Sequence, residues 1–238
     1  MRSILLVFAV SASAVLFSQD PVPGSPTPES PATKLPATKL PSVLIIGDSI
    51  SIGYTPFVQE TLKGRAEVVH NRGNAQHTGT GLKKIDEWLG DTSWDVIHFN
   101  WGLWDLCYRD PPGSLKRGKK NGKVTFTVEQ YGKNLEKLIQ RLEKTGAKLI
   151  WASITHIPEG ETGRKVGDDI RYNEVAKKLM KKHRIVINDL HAASRRFSSD
   201  LFRAPGDVHF KPAGRKKLAK LVSDRIEEAL KSKAPAGT

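Results

Sequence analysis

Cysteine is nearly missing from this sequence: Cys107 is the only one in 238 residues. No disulfide can form within the chain, so the fold must be held by its apolar core, which a domain of this size can supply. Cys107 also lies far from the apolar N-terminus, which excludes a lipid attachment just after a leader. It reads as a small buried residue rather than a reactive thiol. Acidic residues are in deficit, 25 Asp and Glu against 38 Lys and Arg, for a formal net charge of +13. Histidine pairs at metal-ligand spacing with a neighbouring carboxylate, such as H-E-x-x-H, do not occur, so no metal site is expected. Long apolar runs are absent after the first 18 residues.

That first run, MRSILLVFAVSASAVLF, places Arg2 before an apolar stretch and then small residues. It has the form of a secretory leader over residues 1–18, with Ala12-Ser13-Ala14 as one cleavage site. Export makes a secreted or periplasmic location the expectation, with an uncleaved membrane tether as the alternative. Residues 19–41 are rich in Pro, Ser and Thr and contain ATKLP twice in tandem, the composition of an extended linker. Export also bears on the charge. The polyanions outside the cytoplasm are acidic polysaccharides, cell-wall polymers and lipid headgroups, so nucleic acid is not an expected partner. No stable membrane insertion is expected once the leader is cleaved.

From Ser42 the pattern changes, and one domain is expected over 42–233, with a short tail at 234–238. Apolar runs at Val43–Ile46, Ala66–His70, Val96–Trp101, Leu149–Ile154 and Ile185–Ile187 alternate with helix-period stretches near 50–63, 80–89, 127–145, 168–183 and 211–231. Buried-type strands alternating with helices predict a parallel sheet covered on both faces, a three-layer α/β/α sandwich. Ligands in such sheets bind beyond the carboxyl ends of the strands. Ser49, Asn71–Gly73, Gly102–Asp105 and Thr155–His156 all fall at such ends.

Ser49 sits in Gly47-Asp48-Ser49, between the first strand and a helix. A serine there is often only a helix cap, but a nucleophile gains from the N–H groups of the following helix. The order of blocks favours chemistry: GDSIS, then Asn71-Arg72-Gly73, then Gly102 to Asp105, then Asp207 and His209 before the last helix. This arrangement resembles the SGNH/GDSL hydrolase family over nearly all of residues 42–230. The resemblance implies a flavodoxin-like fold and a serine esterase that needs no cofactor. It implies Ser49 as nucleophile and His209 as general base and acid, with the N–H groups of Ser49 and Gly73 as oxyanion donors. By the same resemblance the substrate is a small-molecule or polysaccharide ester, with O-acetylated carbohydrate expected. A lipid or simple carboxylester, or a glycan-binding protein that has kept the fold without turnover, are the alternatives.

Two blocks depart from the family pattern. Where the family has Gly-x-Asn-Asp, this chain has Gly102-Leu103-Trp104-Asp105. Asn100, two residues before the glycine, or the indole N–H of Trp104 could replace the missing amide donor, and Asn100 is the first choice; alternatively Asn100 bonds within the sheet end and Trp104 packs. The family's acid stands three residues before the histidine, where this chain has Gly206. Asp207, two before His209, is on the same side of an extended loop and can orient the imidazole; the alternative is a Ser–His dyad braced by a backbone carbonyl or another acid. Trp104, His77 and His156 are candidate substrate contacts. The insertion at 106–126 carries Lys116-Arg117-Gly118-Lys119-Lys120, which fits either steering of an anionic substrate or a solvated loop.

Overall fold

The computed structural model of the protein describes residues 39–110 and 117–232. The leader, almost all of the linker, Lys116 and the C-terminal tail lie outside those residues. Five parallel strands form the main sheet: β1 (Ser42–Ile46), β2 (Glu67–His70), β3 (Val96–Phe99), and two more C-terminal to the insertion. The insertion contains its own antiparallel pair, β4 (Tyr108–Arg109) and β5 (Lys123–Val124), after which β6 (Lys148–Ala152) and β7 (Val186–Asn188) complete the main sheet. The order is β2-β1-β3-β6-β7. Every residue of β1 and β3 is buried, as the near-continuous apolar runs predict for strands covered on both faces.

Helices α1 (Ser49–Leu62) and α6 (Pro212–Lys231) pack together on one side of the sheet. On the other, α3 (Val128–Glu143) lies between α2 (Thr78–Leu89) and α4 (Asp168–Lys182). The reason is clearest in α3. Tyr131, Leu135, Leu138 and Leu142 recur every three to four residues and are fully buried, while Thr127 and Gln130 close a capping box at its start. A five-residue helix, α5 (Leu190–Ser194), follows β7 and is too short to leave a periodic signal.

The register sets up the site. Ile46 of β1 pairs with Phe99 of β3, and Phe99 with Trp151 of β6. The carboxyl ends of three adjacent strands are therefore level, and the loops that follow them emerge side by side. The chain leaves β1 toward β2 on one side and returns to β3 on the other, so Ser49 stands at the point where the strand order reverses, the crevice position of an open α/β sheet.

The insertion is better anchored than its Gly and Lys content suggests. Arg117 Nη1 lies 3.2 Å from Oε1 of the buried Glu161, and Lys119 Nζ donates to the Glu161 carbonyl. Arg164 reaches the same Glu161 carboxylate at 3.0 Å and donates through Nε to Leu103 O at 2.7 Å. Two cations of the basic run are thus tied to the 158–164 loop. No helix among the described residues is long and apolar enough to cross a membrane.

Candidate active site

Ser49 opens α1, with Asp48 as its N-cap; Asp48 Oδ1 accepts from Ile50 N at 2.9 Å. The Asp48 side chain is buried, which pushes its carboxyl up. A residue in the first turn of a helix has an N–H with no partner inside the helix. The N–H groups of Ser49 and Gly73 have no hydrogen-bond partner among the described residues. The 71–75 loop is clasped to the Ser49 turn from both sides, since Gly47 N donates to Asn71 Oδ1 at 2.9 Å and Ala75 N donates to Gly47 O at 3.0 Å.

Gly73 has φ +73° and nothing within 4 Å of where a Cβ would stand, so the constraint there is backbone conformation rather than space. Gly73→Ala is expected to cost about 1–2 kcal/mol of stability through the left-handed backbone. It is also expected to lower kcat on the order of 10-fold by displacing the N–H. Thermal unfolding and steady-state kinetics on one preparation separate the two effects.

The base arrives from the other end of the chain. Residues 201–203 and 209–211 lie antiparallel, with Arg203 N donating to His209 O at 2.9 Å and Lys211 N to Leu201 O at 2.8 Å. This clasp holds His209 Nε2 at 2.9 Å from Ser49 Oγ and His209 Nδ1 at 2.6 Å from Asp207 Oδ1. A carboxylate only accepts, so Nδ1 carries the hydrogen and Nε2 is left to accept from the serine hydroxyl. Arg203 Nη2, 3.4 Å from Nδ1, therefore faces a donor and makes no hydrogen bond there. Arg203 Nε does donate to Asp207 Oδ2 at 2.8 Å. Burial alone would raise the Asp207 carboxyl, but hydrogen bonds from the His209 backbone, the His209 ring and Arg203 hold it down to about 2.

Position 206 shows why the acid stands two rather than three residues before the histidine. Gly206 has φ +72°, and a Cβ there would lie 2.6 Å from Gly160 O. Aspartate cannot occupy that place in this loop, and Asp207 takes up the imidazole instead.

The serine, histidine and aspartate form one hydrogen-bonded chain across a turn, a loop and the crevice of the sheet. The sequence model of the GDSL-like lipase/acylhydrolase family matches residues 45–217, nearly three-quarters of the chain. The chain belongs to that family. It is a GDSL-type ester hydrolase, and the residues matched include all of the segments just described. No curated protein matches the sequence significantly. Solved structures share the fold at low identity. A lipase/acylhydrolase from Enterococcus faecalis is 20% identical with a TM-score of 0.66, over 83% of this chain and 100% of that one. An acetyl xylan esterase is 17% identical with a TM-score of 0.64, over 78% of this chain and 99% of that one. A GDSL-like lipase from Bacteroides thetaiotaomicron is 13% identical with a TM-score of 0.59, over 79% and 88% respectively.

The remaining sequence candidates of this GDSL hydrolase have varied surroundings. Asn100 donates through Nδ2 to Ala152 O at 2.6 Å, so one of its two amide hydrogens is held within the sheet end. Trp104 is partly buried, its ring lies 4.4 Å beneath the Arg109 guanidinium, and its indole N–H has no partner among the described residues. His77 caps α2, with Nδ1 accepting from Thr80 N at 3.1 Å; burial, helped by Arg109 and Lys83, pushes its pKa down. His156 lines a cleft of about 330 Å³ together with Pro158, Phe202 and Gly206.

Several supporting residues were invisible in the sequence. His70 Nδ1 donates to Asn71 O at 2.8 Å, and Ser51 Oγ lies 2.7 Å from His70 Nε2 and 2.8 Å from Asp48 O. The Ser51–His70 pair thus ties the Gly73 loop to the Ser49 turn, and only the pairing of β1 with β2 brings the two residues together. Arg203 had no signal in the sequence either.

Asp105 is fully buried and accepts from Thr78 N at 3.0 Å and from the Thr78 hydroxyl, fastening α2 to the 102–105 loop. Burial pushes its carboxyl up to about 7. The folded protein therefore keeps this proton to a higher pH than the unfolded chain, whose carboxyl titrates near ~3.9. Its contribution to stability is full below about pH 4 and is lost as pH rises through about 7. Asp105→Asn keeps an acceptor for Thr78 N–H and removes the titration. Its melting temperature is expected to fall less than that of the wild type between pH 4 and 7, measured by thermal unfolding across a buffer series.

Proposed function

We propose that the protein is an exported serine acetylesterase acting on O-acetylated carbohydrate. The observation that carries the mechanism is the continuous Ser49–His209–Asp207 hydrogen-bonded chain. In this reading Ser49 Oγ attacks the ester carbonyl while His209 Nε2 takes the hydroxyl proton. The backbone N–H groups of Ser49 and Gly73 receive the oxyanion. His209 returns its proton to the leaving alcohol as the C–O bond breaks, leaving an acetyl group on Ser49. Water then attacks that acyl-enzyme, giving its proton to His209, and acetate leaves as Ser49 Oγ is reprotonated. Asp207 holds the imidazole in the required tautomer and balances its charge.

Carbohydrate is favoured by three features. The leader-like N-terminus supports export, where esterified glycans are found. Trp104, half-buried in the 102–105 loop with the Arg109 guanidinium over its ring, is the aromatic residue proposed to pack against a sugar. Among proteins of the same fold is an acetyl xylan esterase. Asn100 and the Trp104 indole N–H are the side chains proposed to supply the third oxyanion donor, and His77 and His156 are proposed to contact substrate.

The test is a substrate panel: p-nitrophenyl acetate, butyrate and octanoate, and acetylated xylo-oligosaccharides with acetate release as the readout. The expected result is acetate release from the oligosaccharide and a kcat/KM for acetate at least 10-fold above that for octanoate. A preference for octanoate with no release from the oligosaccharide would replace the proposal with a lipid esterase. Failure of folded wild-type protein to hydrolyse any of them would leave a glycan-binding protein.

A further inference from the structure

Three residues outside the Ser49–His209–Asp207 chain converge from different parts of the sequence. His156 follows β6, Asp169 lies in the first turn of α4, and His191 is in α5. Asp169 Oδ2 is 2.8 Å from His191 Nε2 and 3.4 Å from His156 Nδ1, and one ligand atom from each residue lies within 4.8 Å of the other two. Asp169 and His191 are almost wholly enclosed, with side-chain exposures of 1% and 10%, whereas His156 is 30% exposed.

The surroundings hold these side chains in place. His156 N donates to Ser194 Oγ at 2.9 Å, and His191 N donates to Ser153 Oγ at 2.8 Å. Asp169 accepts from Gly167 N through Oδ1 at 3.1 Å and from Ile157 N through Oδ2 at 3.2 Å. The two loops that carry the imidazoles are thus pinned to each other, and the carboxylate is fixed by backbone donors that orient it without occupying all of its acceptor sites.

Two imidazole nitrogens and one carboxylate oxygen make the donor set of a borderline first-row cation rather than of calcium or magnesium. In a tetrahedral zinc site with bonds of about 2.0–2.1 Å, neighbouring ligand atoms are about 3.3–3.4 Å apart. The two carboxylate–imidazole separations, 2.8 and 3.4 Å, bracket that value, and all three ligand atoms lie within 4.8 Å of one another, so side-chain adjustment can admit an ion. We propose that His156, Asp169 and His191 form a binding site for a zinc-class divalent cation outside the Ser49–His209–Asp207 chain, at the edge where His156 is proposed to meet substrate. His156 is shared with the cleft whose other wall includes Gly206, next to Asp207. A fourth coordination position is thereby open to water or to a ligand group entering that cleft. The ion would cross-link the loop after β6 to α4 and α5, beside the segment that delivers His209.

The test uses tag-free, chelator-treated full-length protein titrated with ZnCl₂ by calorimetry, with Co²⁺ absorption as a spectroscopic check of the ligands. Ser49→Ala is run in parallel, so that binding is read independently of any esterase activity. The expected result is one equivalent bound by wild type and by Ser49→Ala alike. Affinity should fall at least 100-fold in His156→Ala and in His191→Ala, with tetrahedral Co²⁺ bands lost in both. Because His156 is partly exposed, its variant is the one expected to stay folded, as circular dichroism would verify. No stoichiometric zinc binding by the wild type, or binding that survives both histidine substitutions, overturns the proposal and leaves a hydrogen-bonded carboxylate clamp.

Discussion

Replacing Ser49 with alanine is expected to lower kcat on an activated acetyl ester on the order of 10⁵–10⁶-fold, the scale found when the nucleophile of a serine hydrolase is removed. Nothing in the packing opposes the change. Ser49 is not part of the buried core, and the N-cap bond that starts α1 comes from Asp48 rather than from Ser49. The protein should unfold at nearly the wild-type temperature while losing both turnover and labelling by a fluorophosphonate probe. Substantial activity in a pure Ser49→Ala sample would remove the acyl-enzyme from the mechanism, because His209 Nε2 would then be activating something other than the Ser49 hydroxyl.

The second large effect belongs to Asp207. Removing it as Asp207→Ala takes away the acceptor of His209 Nδ1–H and the charge that balances the imidazolium. A loss on the order of 10⁴-fold in kcat is expected, with KM little changed. Arg203→Ala is the informative comparison. Its side chain is 59% exposed and touches the acid from the far side, so a loss of no more than about 10-fold is expected. The two variants also differ in pH behaviour. In the wild type the Asp207 carboxyl is held down to about 2, so its contribution to stability is present above about pH 4 and is lost as pH falls through about 2. Without Arg203 the folded-state carboxyl titrates higher, so that contribution should be smaller and its loss complete at a higher pH, which acid unfolding curves of wild type and Arg203→Ala would reveal. Equal losses of activity in Asp207→Ala and Arg203→Ala would mean that the loop, rather than the carboxylate, is what matters.

Much of this molecule was legible before any coordinates. The five apolar runs that alternate with helical periods gave the parallel sheet and its covering helices, and every predicted element lies within a few residues of its place in the structure. The reason is that a strand buried on both faces has little room for polar residues, and a helix packed on one face must repeat its apolar residues every three to four positions. The insertion was harder. Its strands are two residues long, and its anchoring depends on Glu161, some forty positions away, so composition leaves steering of an anionic substrate and a solvated loop equally open.

The site divides in the same way. Ser49 and His209 could be named because the order of their short blocks, GDSIS near the start and the Asp/His pair before the last helix, resembles that of the family. A polar turn after a buried strand alone is also what a helix cap looks like. What Asp207 does could not be decided from its spacing alone. The loop geometry around Gly206 excludes a side chain at the family's usual position, and the 201–211 clasp turns Asp207 toward Nδ1. The environment of Asn100 depended on β6 supplying a carbonyl within reach of its amide.

The sequence by itself determined the class of fold, the order of its elements and the residues at the ends of its strands, since these follow from periodicity and local turn chemistry. Tertiary structure alone decided which of those residues meet. It joined Ser49 to His209, Ser51 to His70, and Asp169 to His191. Such contacts depend on strand order and loop packing over separations of tens of residues, and local spacing carries no record of them.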